Sequence, residues 1–393
     1  MLVVRTVKHL ALAVGWLVFL PATLLLHIVG YRRLTVFVDR IGHLAAEPDC
    51  FLKKKALDEL PAGRRWFMLA PPKRVANLHL LSYWRPHIVT FSHPLPCLIL
   101  GVMSRWFFLR LDISDYVLQL DRSQEYFRVC SDWGNRPPIL TLTPDDKSWS
   151  NSAFQALGLP QNVWFVCVHV REPGFSPIDE RLHAHRNGAI SAAIPAMQEI
   201  VKRGGWCVRM GDPTMTPLPP IEGVIDYAHH SLRSDRLDVT LCARARFFLG
   251  NTSGLAFVST IFGVSCALAN MIPTSARAPL SDDLSIPKIL WLEREGRYLK
   301  FSEILHSPLG NCRFAKRFLD AGVRVDENSA EEILELVKEM LDRLDGTFVE
   351  KEEDRVRQAQ YLGLFRPNHY SYWARSRVAA AFLRQHRDLL NPS

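Results

Sequence analysis

Four short stretches carry side chains whose types and spacing suit chemistry on a phosphorylated ligand. His169-Val170-Arg171-Glu172 closes an apolar run, and alternation along an extended chain sends His169 and Arg171 to the same side. A guanidinium there is planar, permanently charged and bidentate toward a diphosphate. An imidazole beside it can donate to a phosphoryl oxygen or act as acid or base. Arg209-Met210-Gly211-Asp212 ends a second apolar run. Gly211 lets the backbone turn sharply beside a ligand, and Asp212 can accept from a sugar or a base. Asn251-Thr252-Ser253-Gly254 precedes a helix-patterned segment, so small hydroxyls, free N–H groups and the helix dipole combine into an anion site. Asn270 closes a further strand and completes the rim. HxR alone occurs by chance, and TSG before a helix serves equally as an N-cap. Together, at successive strand ends, they point to a phosphate-bearing ligand.

Nearer the N-terminus, Gly42-His43 follows a strand-like run, where His43 can deprotonate an acceptor hydroxyl; Asp39 and Glu47 are alternative bases. His183-x-His185 lies in a cation-rich insert from Arg181 to Ala189 and reads as a solvated or phosphate-facing loop, because no acidic partner has metal-site spacing. Asp235 and Asp238 open a helix-like segment, as dipole-favoured charges or as sugar contacts. No metal and no cofactor is expected: the eight cysteines form no CxxC pair and no DxD stands in the chain. GxxxxGK[ST] and a post-strand GxGxxG are both absent, which removes the usual support for ATP hydrolysis and for nicotinamide or flavin chemistry.

These residues need a scaffold, and the second half of the chain has the rhythm of one. VWFVCVHV (163–170) is apolar throughout, as in a parallel strand buried on both faces. GAISAAIPAMQEIVKRGG is helix-patterned, and WCVRMGD, GVIDYA, LDVTLCARA, FFLG, FVSTIFG, SCALANMIP and KILWLE continue the strand and helix alternation. That pattern predicts right-handed βαβ units in a doubly wound α/β sheet. Ser329 and Glu332 form a capping box ahead of a helix ending near Gly346, and SYWARSRVAAAFLRQHRDLL reads as a basic terminal helix. In the first part, LTVFVDRIGHLAAEPD reads as a strand and then a loop holding Gly42 and His43, with RWFMLA and HIVTFS as further strands. The apolar stretch 98–109 packs in a core or on lipid, and 132–146 reads as an interdomain linker.

A net charge of +8 favours an anionic partner. Leu10 to Gly30 contains no formal charge and as a helix would rise about 31 Å, enough to span a bilayer core. Arg32, Arg33, Arg40 and Lys53-Lys54-Lys55 follow it, so an uncleaved anchor would keep the bulk of the chain on the cytoplasmic side of the inner membrane. Pro21 and His27 also suit a helix lying in the interface.

VHVRE, RNGAISAAIPAMQEIVKRGGWCVRMGDPTM, SDRLDVTLCARARFFLGNTSGL, DRIGHLAAEPD and WARSRVAAAFL together resemble bacterial glycosyltransferases encoded with surface-polysaccharide functions, over most of residues 35–390. The HxR strand end is similar, more distantly, to the phosphate-gripping motif of GDP-fucose-dependent fucosyltransferases. The resemblance implies a GT-B-like architecture, two Rossmann-like domains facing a cleft, with a nucleotide-sugar donor held by the C-terminal one. It implies Arg171 on the diphosphate and Thr252, Ser253 and Gly254 around the phosphates or ribose, with a glycan or lipid-linked acceptor. The expected organisation is an anchor over 1–33, an acceptor domain over 34–150, a donor domain over 151–325, and closing helices over 326–393. The alternative is a non-catalytic, membrane-tethered scaffold of a polysaccharide assembly complex. Nucleic-acid binding has only net charge behind it, with no basic-aromatic stacking pattern.

Overall fold

The computed structural model describes residues 14–112, 124–174 and 177–390. The chain divides into two compact units, Met1–Arg122 and Ser123–Ser393. The division falls earlier than the boundary expected at residue 150. The 132–146 stretch lies inside the second unit, running from the end of helix Gln124–Trp133 into the start of helix Pro144–Leu157.

The strands of the first unit are β1 (Tyr31–Thr35), β2 (Arg65–Leu69), β3 (Val89–Phe91) and β4 (Arg110–Asp112). They form one parallel sheet in the order β3-β2-β1-β4. Strand β1 alternates half-buried and buried residues, with Leu34 in the core. Arg32 and Arg33, expected to flank a membrane span, are instead the second and third residues of this strand. Arg32 Nη1 donates to the Tyr31 and His27 carbonyls, and Arg33 Nη1 donates to Ser104 Oγ at 2.7 Å. The residues after β1 also depart from expectation. Ile41–Ala56 is a helix and not a loop, because Leu44, Ala45, Cys50, Phe51 and Leu52 give it a continuous buried face.

The expected spanning helix is not found. Among the described residues no helix is long and apolar enough to cross a membrane, and residues 10–13 of the expected span lie outside them. Helix Leu20–Ile28 has nine residues, and its segment packs on the first unit. Trp16 stacks on Trp106 at 3.8 Å, and His27 Nδ1 pairs with the Phe108 carbonyl at 2.9 Å.

The second unit holds β5 (Phe165–His169), β6 (Trp206–Arg209), β7 (Val224–Ile225), β8 (Phe248–Gly250), β9 (Cys266–Met271) and β10 (Leu284–Pro287). After them come β11 (Ile289–Leu292), β12 (Arg297–Tyr298), β13 (Val323–Asp326) and β14 (Arg377–Val378). Seven of these make a parallel sheet in the order β14-β10-β9-β8-β5-β6-β7. All five residues of β5 are buried, as its unbroken apolar run predicts. KILWLE does not join that sheet; β11 pairs antiparallel with β12 and β13. Helix Ala330–Leu344 starts with the anticipated Ser329/Glu332 capping box and buries Ile333, Leu336, Val337, Met340 and Leu341. The terminal segment is not one helix. Arg377–Val378 adds β14 to the edge strand β10, and the helix begins at Ala380, since the edge carbonyls of Asp283 and Ser285 accept from Arg377 and Ala379.

Candidate functional site

In the second unit, β6 and β7 lie on one side of β5 and β8, β9 and β10 on the other. Open parallel sheets bind ligands outside the carboxyl ends of their strands at such a reversal. The ends there are His169 to Arg171 after β5 and Asn251 to Gly254 after β8, and the register sets His169 against Gly250. A Cβ on Gly250 would stand 2.8 Å from the His169 carbonyl oxygen, so only glycine lets these strand ends come this close.

The cation-rich insert is stitched across both ends. Arg171 Nη1 donates to the His183 carbonyl at 3.0 Å and to Asn187 Oδ1. Asn251 accepts from the Arg171 backbone N–H at 3.1 Å and donates from Nδ2 to the Arg186 carbonyl at 3.1 Å. Arg186 Nη2 donates to the Thr252 carbonyl, and Lys288 Nζ, just past β10, donates to the Asn187 carbonyl at 2.6 Å. Three cations, Arg171, Arg186 and Lys288, are thereby gathered with His183 and His185 at one sheet edge.

Several polar atoms in this cluster are shielded from solvent and have no partner. They are His169 Nδ1, both ring nitrogens of His185, Thr252 Oγ1 and Ser253 Oγ. Buried polar atoms are nearly always hydrogen-bonded, so these five keep bonding capacity that no described residue meets. Ser253 is the N-cap of helix Gly254–Ile261, yet its side chain makes no capping bond. Burial, then the charge of Arg209, pushes His169 down to about 4. Burial, then Arg186, pushes His185 down to about 3. Both imidazoles are therefore neutral at pH 7, each offering one N–H and one lone pair. Burial also lowers Lys288 to about 8, against the pull of Glu327 and Asp326.

Other predicted residues are committed elsewhere. Arg209 is fully buried: Nη2 donates to Glu172 Oε2 at 2.9 Å and to the Thr216 carbonyl at 3.0 Å, and Nη1 to Asp226 Oδ1 at 3.0 Å. Its charge is met inside the protein. Asp212 Oδ1 accepts from the Thr214 N–H and hydroxyl at 2.9 and 2.5 Å. Gly211 has φ +141°, and a Cβ there would stand 2.3 Å from Met215 Sδ, so it serves packing. Asn270, at φ 53°, exchanges backbone-to-side-chain bonds of 2.6 and 2.7 Å with Asn328. It braces Gly188 at the edge of the insert without offering its carbonyl outward. Reasoning from sequence missed Arg186, Asn187 and Lys288. The cation density of 181–189 was a signal for the first two, but a single lysine after an unrecognised strand gave none.

The first unit has its own reversal: β2 and β3 lie on one side of β1 and β4 on the other. Beyond β1, the Phe37 N–H donates to Glu47 Oε2 at 2.9 Å, and His43 Nδ1 pairs with Glu47 Oε1 at 2.7 Å. Glu47 is fully buried. A carboxylate only accepts, so Nδ1 carries a proton and Nε2 is the ring nitrogen that can exchange one. Asp39 is instead solvent-facing beside Arg74 at 3.4 Å. Among the described residues, no three His, Cys, Asp or Glu side chains group as a metal site would require.

No protein-family model matches this chain, and no curated protein does. Among solved structures it is similar to the glycosyl transferase family 9 protein from Veillonella parvula DSM 2008, at 16% identity and a TM-score of 0.29 over 58% of this chain and 61% of that one. It is also similar to the bacterial iron-containing dodecameric glycosyltransferase TibC from enterotoxigenic E. coli H10407, at 14% identity and a TM-score of 0.34 over 63% and 61%. The chain thus spans about three fifths of the length of each, 61% in both cases.

The second-unit arrangement can hold an anion of more than one charge. It presents cations, neutral hydrogen-bond donors and a helix N-terminus at one strand-end crevice. The first-unit arrangement can take a proton at His43 Nε2.

Proposed function

We propose that this chain is a glycosyltransferase that takes a sugar from a nucleotide-sugar donor and passes it to a glycan or lipid-linked acceptor. The observation that carries the proposal is the set of unpartnered polar atoms on His169, His185, Thr252 and Ser253 beside Arg171 and Arg186. A diphosphate has oxygens to accept from the hydroxyls and from an imidazole N–H, and the charge to match the cations. In the proposed step the acceptor hydroxyl gives up its proton to a general base, and its oxygen bonds to the anomeric carbon. The bond from that carbon to the diphosphate oxygen breaks. The leaving nucleoside diphosphate carries the electron pair, and the second-unit cations stabilise that charge.

The test is calorimetric titration of the intact chain with a panel of nucleotide sugars, alongside Arg186→Ala and Arg171→Ala. The intact chain is required because residues 31–35 are β1. One donor binding selectively, with about a tenfold or greater loss in each variant, supports the reading. A folded wild-type protein that binds none of the panel, with or without acceptor, sinks it. Binding without turnover in the presence of acceptors would favour the scaffold alternative.

A further inference from the structure

The first unit leaves an apolar face uncovered, and it is built from two segments far apart in sequence. Residues 14–29 pack against residues 102–108. Trp16 stacks on Trp106, Trp106 Nε1 donates to the Trp16 carbonyl at 3.3 Å, and His27 meets the Phe108 carbonyl. Their inner sides are thus used in packing, while large aliphatic and aromatic side chains stay bare outside. Leu17 is 60% exposed, Leu25 62%, Ile28 78% and Phe107 77%. Scattered apolar residues need no explanation, but a band of this kind on adjoining segments does.

Charge selects the occupant. Residues 1–122 contain 16 Lys and Arg against 8 Asp and Glu, whereas residues 123–393 contain 32 of each, so the whole excess of +8 belongs to the unit that carries the band. No Asp, Glu, Lys or Arg occurs in 14–30 or 86–104. Exposed arginines stand at the borders: Arg105 and Arg110 bracket Phe107, and Arg64 and Arg65 lie beside Gly30, whose carbonyl accepts from the Arg65 N–H at 2.9 Å. An uncharged apolar band bordered by cations matches one surface well, the headgroup boundary of an anionic bilayer. We propose that this face docks the protein onto anionic phospholipid by shallow insertion of Leu17, Leu25, Ile28 and Phe107. The proposal is independent of the glycosyl-transfer reading.

The experiment is flotation of the full chain with phosphatidylcholine vesicles, with and without phosphatidylglycerol. The paired substitution Leu25→Glu/Ile28→Glu and, on the other segment, Phe107→Glu are compared with wild type; residues 1–13 stay intact in all. Phosphatidylglycerol should raise the floated fraction about tenfold, high salt should weaken it, and either variant should lose about tenfold at an unchanged unfolding temperature. Should one variant misfold, the other carries the comparison. Absence of wild-type flotation, or flotation that neither variant changes, overturns the proposal. So does a wild-type dimer that the substitutions dissociate without any lipid binding, because the band would then join two copies of the chain.

Discussion

His43 and Glu47 stand one helical turn apart and share a 2.7 Å hydrogen bond between Nδ1 and Oε1, with the carboxylate wholly buried. The second oxygen of Glu47 holds the Phe37 N–H, so the carboxylate is fixed by the chain leaving β1 and in turn fixes the imidazole. An orienting carboxylate on one ring nitrogen and a lone pair on the other is the arrangement that a proton acceptor needs.

If His43 is the acceptor base, His43→Asn lowers kcat by about 10²- to 10⁴-fold. Donor affinity in the second unit stays unchanged. Glu47→Gln lowers kcat by a smaller factor, since the ring loses its fixed orientation and its charge partner. Steady-state kinetics with parallel calorimetry check this; an undiminished kcat in His43→Asn removes the residue from the reaction.

Thr252 and Ser253 hold hydroxyls with no partner in the protein. Thr252→Val and Ser253→Ala should each weaken donor binding about tenfold, or ~1.4 kcal/mol. Stability should hold or rise slightly, because an unsatisfied buried group is removed. A drop of several degrees in unfolding temperature with unaltered affinity would mean that the hydroxyls serve the fold.

Arg209 behaves differently in this account. Arg209→Ala leaves Glu172 and Asp226 without their cation and should cost about 3 to 5 kcal/mol in denaturant unfolding. The fraction still folded should bind donor normally. Wild-type stability with lost binding would place Arg209 on the ligand instead.

Acid should weaken the fold through His169. Its folded value of about 4 lies below the ordinary 6.5, so the unfolded chain takes up the proton first. Stability is complete above pH 6.5 and declines as pH falls toward 4, by an amount on the order of 3 kcal/mol from this residue. His185, lowered to about 3, acts in the same direction. Denaturant titrations across that range should show a shallower pH slope in His169→Asn than in wild type; identical slopes would refute the assignment.

Much of the second unit was legible because its signals are local. An unbroken apolar run such as 165–169 can be buried on both faces only in a parallel sheet. The Ser329/Glu332 box closes within four residues. The first unit was read less well. Its leading strand begins Tyr-Arg-Arg, and the charges hid a strand whose arginines find the Tyr31 and His27 carbonyls and Ser104. The helix 41–56 was obscured by Gly42 and Pro48, which local rules treat as breakers but which its buried face outweighs.

The sequence alone determined the alternation of strands and helices, the placing of Arg171 and Thr252-Ser253-Gly254 at strand ends, and the choice of His43, Asp39 or Glu47 as bases. Those depend on residue type and on neighbours a few positions away. Tertiary structure decided which of these side chains are available. Arg209 has the right chemistry at the right strand end, but Glu172 and Asp226 already hold its charge, while Asp212 turns one oxygen to Thr214. Lys288 reaches the cluster across about a hundred residues of chain by its bond to Asn187. The physical reason is that hydrogen-bonding capacity is finite, and only the folded chain shows which groups have spent it on one another.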